Sequence, residues 1–233
     1  MEMTTLSAMV SNRNRFSVKF FMLLLLFVGV SMSEGWGQTP NGFLDFGSTA
    51  NGTTATTANT GFGGVRIGSG GGSFTIQNPG QSIGTNAELK GIAPTSGSIN
   101  SVGLTSTEFG TAATTFTVSF EVYLSGGTTG SWYFFAGNGA TFGSTQTTTY
   151  NGAQVFTGIQ WTFGASNTIT TNNRNGGNWN TTGINGTPFA QNTAYYVTIV
   201  GNNSASTVNY GASQSVASNT YDLWVNGALV GND

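Results

Sequence analysis

The chain has 233 residues, of which 37% are hydrophobic, so it can bury a core as one large all-β domain or two small ones. It contains no cysteine and no histidine, which excludes disulfides, thiolate or histidine metal sites and every catalytic triad built on histidine. A formal net charge of −2 provides no basic patch for the phosphates of a nucleic acid, so we expect no nucleic-acid partner.

Residues 1–37 have the organisation of a secretory signal peptide. Three basic residues between positions 13 and 19 precede the apolar run Phe20–Val30, and small residues follow near residue 37. This run is short for a membrane-spanning helix, so we expect cleavage; an uncleaved membrane anchor is the alternative. The mature chain, 38–233, would be secreted or on the cell surface, without a membrane span. Its formal charge would be −3, from three basic and six acidic residues.

Short β-strand patterns then recur, separated by clusters of Gly, Asn, Ser and Thr. The clearest is Phe116–Leu124, where apolar and polar residues alternate without a break, and we expect it to be a central strand of the core. Ala194–Val200 is apolar on both faces, as an interior strand would be. The other predicted strands are Gly64–Ile67, Ser73–Gln77, Ala87–Ile92, Ile99–Leu104, Ser131–Ala136, Val155–Phe163 and Tyr221–Val225. Trp132, Trp161 and Trp224 lie on these strands and are expected to pack in the core.

A β-hairpin is predicted near the end of the chain. Tyr221–Val225 runs into Asn226-Gly227 and a second apolar segment, Ala228–Val230, and Asn-Gly between apolar strands favours a type I′ turn. This stretch, YDLWVNGALV, resembles the hairpin of the laminin-G-like, or concanavalin A-like, jelly-roll superfamily, and the order of the preceding strands agrees. The resemblance covers residues 43–233. It implies a jelly-roll sandwich of two antiparallel sheets, in a superfamily whose members bind glycans or proteins, bind calcium at a rim, or cleave polysaccharides.

The chain stops at Asp233, directly after this hairpin, where similar domains usually add closing strands. We therefore expect a piece of a longer secreted protein, with a domain that is incomplete at its C-terminus. The signal segment and the body rich in Gly, Thr and Asn also resemble large surface proteins exported by the type IX route.

The best candidate for a binding site is Thr171–Gly183, with the sequence TNNRNGGNWNTTG. Glycan recognition needs flat aromatic faces beside planar polar groups, and this segment places an arginine and a tryptophan among asparagines. The alternative is a flexible hairpin loop in which Trp179 folds back onto the sandwich. The predicted ligand-binding residues are Arg174, Trp179, Asn173, Asn175 and Asn178.

The carboxylates are too scattered to predict an enzyme or a strong metal site. A glycosidase needs two carboxylates, and Glu121 is the only acid on its strand, while Glu108 lies in the preceding loop and Asp222 on a distant strand. Calcium needs several oxygen ligands. Asp45 and Asp222, with Asp233 and backbone carbonyls, are the weak candidates for a calcium site.

The sequence thus predicts a secreted, all-β jelly-roll sandwich that acts as a non-catalytic recognition module for carbohydrate or a cell-surface protein, with calcium as the one cofactor to consider. One alternative is a structural or adhesive module of a larger surface protein that has no ligand of its own. The other is a polysaccharide-cleaving enzyme, which requires a second carboxylate within reach of Glu121.

Overall fold

The computed structural model describes residues 44, 46–97, 99–104, 113–137, 155–175, 178–180, 184 and 186–232. The chain falls into two units: the larger comprises Pro40–Val208 and Ser215–Asp233, and of the smaller only Asn209–Gln214 is described. The predicted signal peptide, 1–37, lies outside the described residues and stays a prediction.

The described elements are strands, apart from one helical turn at Thr57–Thr60 and one 3-10 turn at Ala165–Asn167. The all-β prediction is confirmed, and every pair of strands with a defined register is antiparallel. In chain order the strands are β1 (Gly64–Arg66), β2 (Ser73–Gln77), β3 (Glu88–Ile92), β4 (Ser101–Gly103), β5 (Thr115–Tyr123), β6 (Ser131–Gly137), β7 (Val155–Phe163), β8 (Ile169–Asn175), β9 (Asn178–Asn180), β10 (Ala194–Asn202), β11 (Val208–Tyr210), β12 (Gln214–Val216), β13 (Thr220–Val225) and β14 (Ala228–Asn232).

Two four-stranded sheets contain most of the long strands. The first sheet has the order β14-β13-β10-β5, and the second has the order β6-β7-β8-β9. Three two-stranded sheets, β1-β4, β2-β3 and β11-β12, complete the described strands. In the first sheet Ile199 of β10 pairs with Leu223 on one side and with Val118 on the other, and this face of the sheet is lined by apolar side chains.

The apolar faces of the two sheets share one hydrophobic core. Phe120 of β5 stacks on Phe134 of β6 with ring centroids 5.0 Å apart, and its edge contacts Trp161 of β7 at 6.5 Å. Burial of such large rings and branched side chains is the main favourable contribution to folding. The buried residues of this core are Leu124, Ile159, Trp161, Phe163, Ile169, Phe189, Val197, Ile199, Tyr221, Leu223 and Val225.

The predicted core tryptophans occupy three different environments. Trp161 is buried in the core, and Trp132 packs against it while partly exposed. Trp224 is half-buried and lies on the opposite face of β13 from Leu223 and Val225, so it is outside this core. The alternation along Tyr221–Val225 places Leu223 and Trp224 on opposite faces, and only one face of the strand lines the core.

The strand predicted at Phe116–Leu124 is confirmed over Thr115–Tyr123, while its central position stays a prediction. The strand forms, as β5, but among the described strands it pairs only with β10 and lies at an edge of the first sheet. Strict alternation reports which face of a strand is buried and carries no information about its neighbours. β10 is an interior strand of this sheet, as its two apolar faces predicted, with Val197 and Ile199 fully buried.

The predicted Asn-Gly hairpin is confirmed between β13 and β14. Asn226 and Gly227 have φ angles of 50° and 77°, the positive values that a type I′ turn requires. The turn is also tied to the next strand, because the backbone N–H of Tyr196 donates to Oδ1 of Asn226 at 2.9 Å.

Buried polar side chains fix three loops of the larger unit. The Glu88 carboxylate accepts hydrogen bonds from the backbone N–H groups of residues 81–83. The Gln191 amide donates to the carbonyl of Gly127 at 2.7 Å and accepts from its N–H at 3.2 Å. Asn202, which is fully buried, makes five side-chain hydrogen bonds at the end of β10. Buried polar groups that are satisfied in this way hold irregular backbone in one conformation.

Candidate functional site

Three aromatic rings lie together on the outer face of the second sheet, the face turned away from the core. Tyr133 and Phe135 are parallel, with ring centroids 5.6 Å apart and an interplanar angle of 7°. Trp179 contacts both, at 5.4 Å from Tyr133 and 5.6 Å from Phe135. We call these three residues the aromatic cluster. Tyr133 is 40% exposed, so the cluster is reached from solvent.

The alternation of β6 explains why two of these rings point outward. Trp132 and Phe134 pack against the core, so Tyr133 and Phe135 occupy the opposite face of the same strand. Four consecutive aromatic residues therefore divide evenly between the two faces. Neither ring of the outward pair belongs to the core, and Tyr133 is exposed while Phe135 is half-buried. Contiguous exposed apolar surface is a mark of interaction sites.

Gly158 of β7 allows the indole ring of Trp179 to lie close to the sheet. Gly158 pairs with Phe135, and a Cβ atom at this position would lie 3.1 Å from Cη2 of Trp179 and 3.2 Å from Cβ of Arg174. Both distances are tighter than ordinary van der Waals contact, so any larger residue would displace the ring. The glycine thus fixes the depth at which Trp179 rests on the strand.

Arg174 is the cationic member of this face. It pairs with Trp179 across β8 and β9, and its guanidinium carbon lies 5.2 Å from the centroid of the Trp179 ring. The side chain is only 7% exposed. A guanidinium over an indole face within about 6 Å makes a favourable cation–π contact. Arg174 therefore supports the orientation of the indole ring as well as carrying a charge.

A row of hydrogen-bonded polar side chains runs across the strands beside the aromatic cluster. Asn172 donates through Nδ2 to Oε1 of Gln160 at 2.8 Å, and Gln160 donates through Nε2 to the hydroxyl of Tyr133 at 3.1 Å. We call Tyr133, Gln160 and Asn172 the amide row. These residues are directly opposite one another on β6, β7 and β8. Next to the row, the hydroxyls of Ser131 and Thr162 are 2.9 Å apart.

The structure brings together two of the five residues predicted to bind a ligand. Arg174 and Trp179 share the outer face, whereas Asn173 is opposite Ile159, whose side chain is in the core. Asn178 is exposed, and the alternation of β9 places it on the other face from Trp179. The side chain of Asn175 lies outside the described residues. The predicted alternative is a flexible hairpin loop in which Trp179 folds back onto the sandwich. Strands β8 and β9 replace the loop in the described residues, whereas Trp179 does lie against the sheet, as that alternative predicts.

The sequence reasoning missed Tyr133, Phe135 and Gln160. Gln160 alternates with the apolar residues Ile159 and Trp161 in Val155–Phe163, so it lies on the opposite face of that predicted strand. The signal for Tyr133 and Phe135 was present in Ser131–Ala136, where the alternation predicts that two aromatic residues point away from the core. This signal could not identify the outward-facing pair, because both faces of Ser131–Ala136 are aromatic and the sequence alone does not say which face is covered. Their proximity to Trp179 depends on the pairing order β6-β7-β8-β9, which the pattern does not give.

Glu121 and Asp222 are too far apart to cleave a glycosidic bond as a pair. Glu121 is exposed opposite Tyr196, and Asp222 is buried opposite Val200, on the other side of β10. Four residues along the strand and two strand spacings across it separate them by about 16 Å, against the roughly 5–9.5 Å that glycosidases use.

No group of three or more Asp, Glu, His or Cys that could hold a metal occurs among the described residues. Asp222, one of the calcium candidates, is 1% exposed, and the other, Asp45, lies outside the described residues. Calcium binding stays a prediction.

Comparison of the chain with protein-family models, with curated proteins and with solved structures finds no match. The resemblance to the concanavalin A-like superfamily therefore stays a prediction, and the site rests on its own geometry. No helix in the part of the chain that the structure describes is long and apolar enough to cross a membrane.

Proposed function

We propose that the protein is a secreted or cell-surface carbohydrate-binding module of jelly-roll type, and that the outer face of its second sheet contacts the glycan. The observation that carries this proposal is the aromatic cluster of Tyr133, Phe135 and Trp179 beside the amide row on one solvent-facing surface.

The two parts of this face match the two kinds of surface that a sugar presents. The C–H faces of a pyranose ring are apolar and pack on aromatic rings, which present a negative face to the C–H bonds. The hydroxyl groups around the ring both donate and accept hydrogen bonds, and side-chain amides such as those of Gln160 and Asn172 can do the same. A face with aromatic rings next to a row of amide groups is better suited to a glycan than to a purely apolar partner.

Affinity electrophoresis of the full 233-residue chain in gels that contain single polysaccharides tests this proposal. We expect retardation by at least one glycan, loss of retardation in Trp179→Ala, and weakening in Tyr133→Ala. Tyr196→Ala is the matched control, because Tyr196 is 51% exposed and lies on the first sheet, away from the cluster. Each variant is first shown to be folded by its urea unfolding curve.

A folded protein that no polysaccharide retards would contradict the proposal, and the structural or adhesive module would then be the better interpretation. Retardation that survives Trp179→Ala but is lost in Tyr196→Ala would place the binding surface on the first sheet. Repeating the gels with a calcium chelator tests the separate prediction of a calcium requirement.

A further inference from the structure

The charge of the candidate face is confined to one side chain. Strands β6, β7, β8 and β9 contain one Arg and no Lys, Asp or Glu, and that residue is Arg174. The remaining polar groups of the face are neutral amides and hydroxyls. Among the described strands of this sheet a ligand therefore meets at most one formal charge, in a chain whose formal net charge is −2.

Arg174 is poorly placed to bind an anionic ligand. Its side chain is 7% exposed, and its guanidinium lies over the Trp179 ring. Arginine recognises carboxylates and sulfates best when its planar fork can approach both oxygens, which requires access to the guanidinium edge. A buried guanidinium held against an indole ring helps to keep that ring in place. Arg174 is therefore a positioning residue for Trp179.

The direction of the hydrogen bonds in the amide row also bears on the ligand. Asn172 donates to Gln160, and Gln160 donates to the Tyr133 hydroxyl. The hydrogen of that hydroxyl remains available for donation at one end of the row, and Oδ1 of Asn172 can accept at the other. A sugar hydroxyl can satisfy either end. A carboxylate or sulfate only accepts, so it can be satisfied at the Tyr133 end alone and would place negative charge against Oδ1 of Asn172 at the other end.

An anionic glycan would also lose water without a compensating partner. Moving a carboxylate from water onto a surface that has no accessible cation costs free energy, because its charge is no longer solvated. The net negative charge of the chain adds a weak long-range repulsion. A neutral glycan incurs neither cost, since its hydroxyls exchange water for amide and hydroxyl partners.

We infer that the outer face of the second sheet selects neutral glycans over acidic ones, recognising hydroxyl groups through the amide row and C–H faces through the aromatic cluster. This inference rests on the proposed function and specifies its substrate class.

Polysaccharide pairs that share a backbone and differ in charge test the inference. Suitable pairs are hydroxyethyl cellulose with carboxymethyl cellulose, and methyl-esterified polygalacturonan with polygalacturonate. Dissociation constants of the full chain are measured at low and at high ionic strength. We expect the neutral member of any bound pair to bind at least tenfold more tightly, with an affinity that does not fall as salt is added.

Variants of Arg174 separate positioning from charge recognition. We expect both Arg174→Gln and Arg174→Lys to weaken binding of the neutral glycan and to shift the tryptophan fluorescence, because neither keeps a planar cation over the Trp179 ring. The ratio of neutral to acidic affinity should stay the same in both.

Tighter binding of the acidic member, with affinity that falls as salt is added, would overturn the inference and leave the proposed function standing. Loss of acidic-glycan binding in Arg174→Gln, with binding retained in Arg174→Lys, would also overturn the inference and leave the proposed function standing. That result would show that the charge at position 174 recognises the glycan directly. Failure of the folded chain to bind either member of any pair, or any uncharged polysaccharide, would overturn the proposed function, and the inference with it.

Discussion

Replacement of Asn202 by alanine should strongly lower the free energy of unfolding of the protein. Asn202 ends β10 and is fully buried. Its Nδ2 donates to the carbonyl oxygens of Ser206, Val216 and Ala217 at 2.8, 3.1 and 3.0 Å, and its Oδ1 accepts from the N–H of Ser204 at 3.0 Å. One amide thus connects two separate segments of the chain.

The size of this loss in stability depends on which hydrogen bonds each carbonyl partner keeps after Asn202 is truncated to alanine. The carbonyl of Ala217 keeps a hydrogen bond from the Thr220 hydroxyl, so its loss is small. The carbonyl of Val216 loses its side-chain donor in a fully buried hydrogen bond, which costs about 1–3 kcal/mol. Adding about 1 kcal/mol for the part-buried bonds gives an expected loss of about 3 kcal/mol in the free energy of unfolding.

Urea unfolding followed by tryptophan fluorescence measures this loss as a shift of the midpoint at constant m value. Asn203→Ala is the matched control, because this neighbour is exposed, and it should change the free energy of unfolding by less than about 0.5 kcal/mol. Asn202→Asp should be at least as damaging as Asn202→Ala, since it turns an oxygen toward carbonyl oxygens. A loss below about 1 kcal/mol in Asn202→Ala, or one equal to that of the control, would refute this reasoning.

Three further predictions concern other buried groups and the candidate face. Glu88→Gln should lower the free energy of unfolding by about 2 kcal/mol, because an amide cannot accept all the loop N–H groups. The control Glu121→Gln, at an exposed residue, should leave this free energy unchanged, and equal shifts of the urea midpoint in the two variants would contradict the prediction. Thr171→Val should not lower the free energy of unfolding, because the buried Thr171 hydroxyl has no hydrogen-bond partner. A loss above about 1 kcal/mol in the urea assay would show that this hydroxyl does have a partner. Gly158→Ala should displace the Trp179 ring, which would shift its fluorescence and weaken glycan binding; unchanged retardation in affinity gels would argue against the role of Gly158.

Alternation and turn chemistry predicted most long strands from the sequence. The predicted segments Ser73–Gln77 and Val155–Phe163 coincide with β2 and β7, and the Asn-Gly turn joins β13 to β14 as expected. These features are local, because side-chain period and the φ requirements of a turn depend on few neighbouring residues.

Strands β8 and β9 could not be predicted in the same way. Both are rich in asparagine, which disfavours strands in isolation and is typical of turns. β8 forms here by pairing with β7, and β9 forms by pairing with β8, so strand pairing overrides the local preference. This is also why the sequence indicated Arg174 and Trp179 as a loop site, while the structure places them on a sheet face with residues from β6.

The location of the binding surface is the central claim, and fluorine NMR of protein labelled with fluorotryptophan tests it most directly. The chain has five tryptophans, so five signals can be assigned by single Trp-to-Phe substitutions. On titration with a polysaccharide that retards the protein, we expect the Trp179 signal to move and the signals of Trp161, in the core, and Trp224, on the first sheet, to stay in place. Movement of the Trp224 signal with no change at Trp179 would contradict the proposed site.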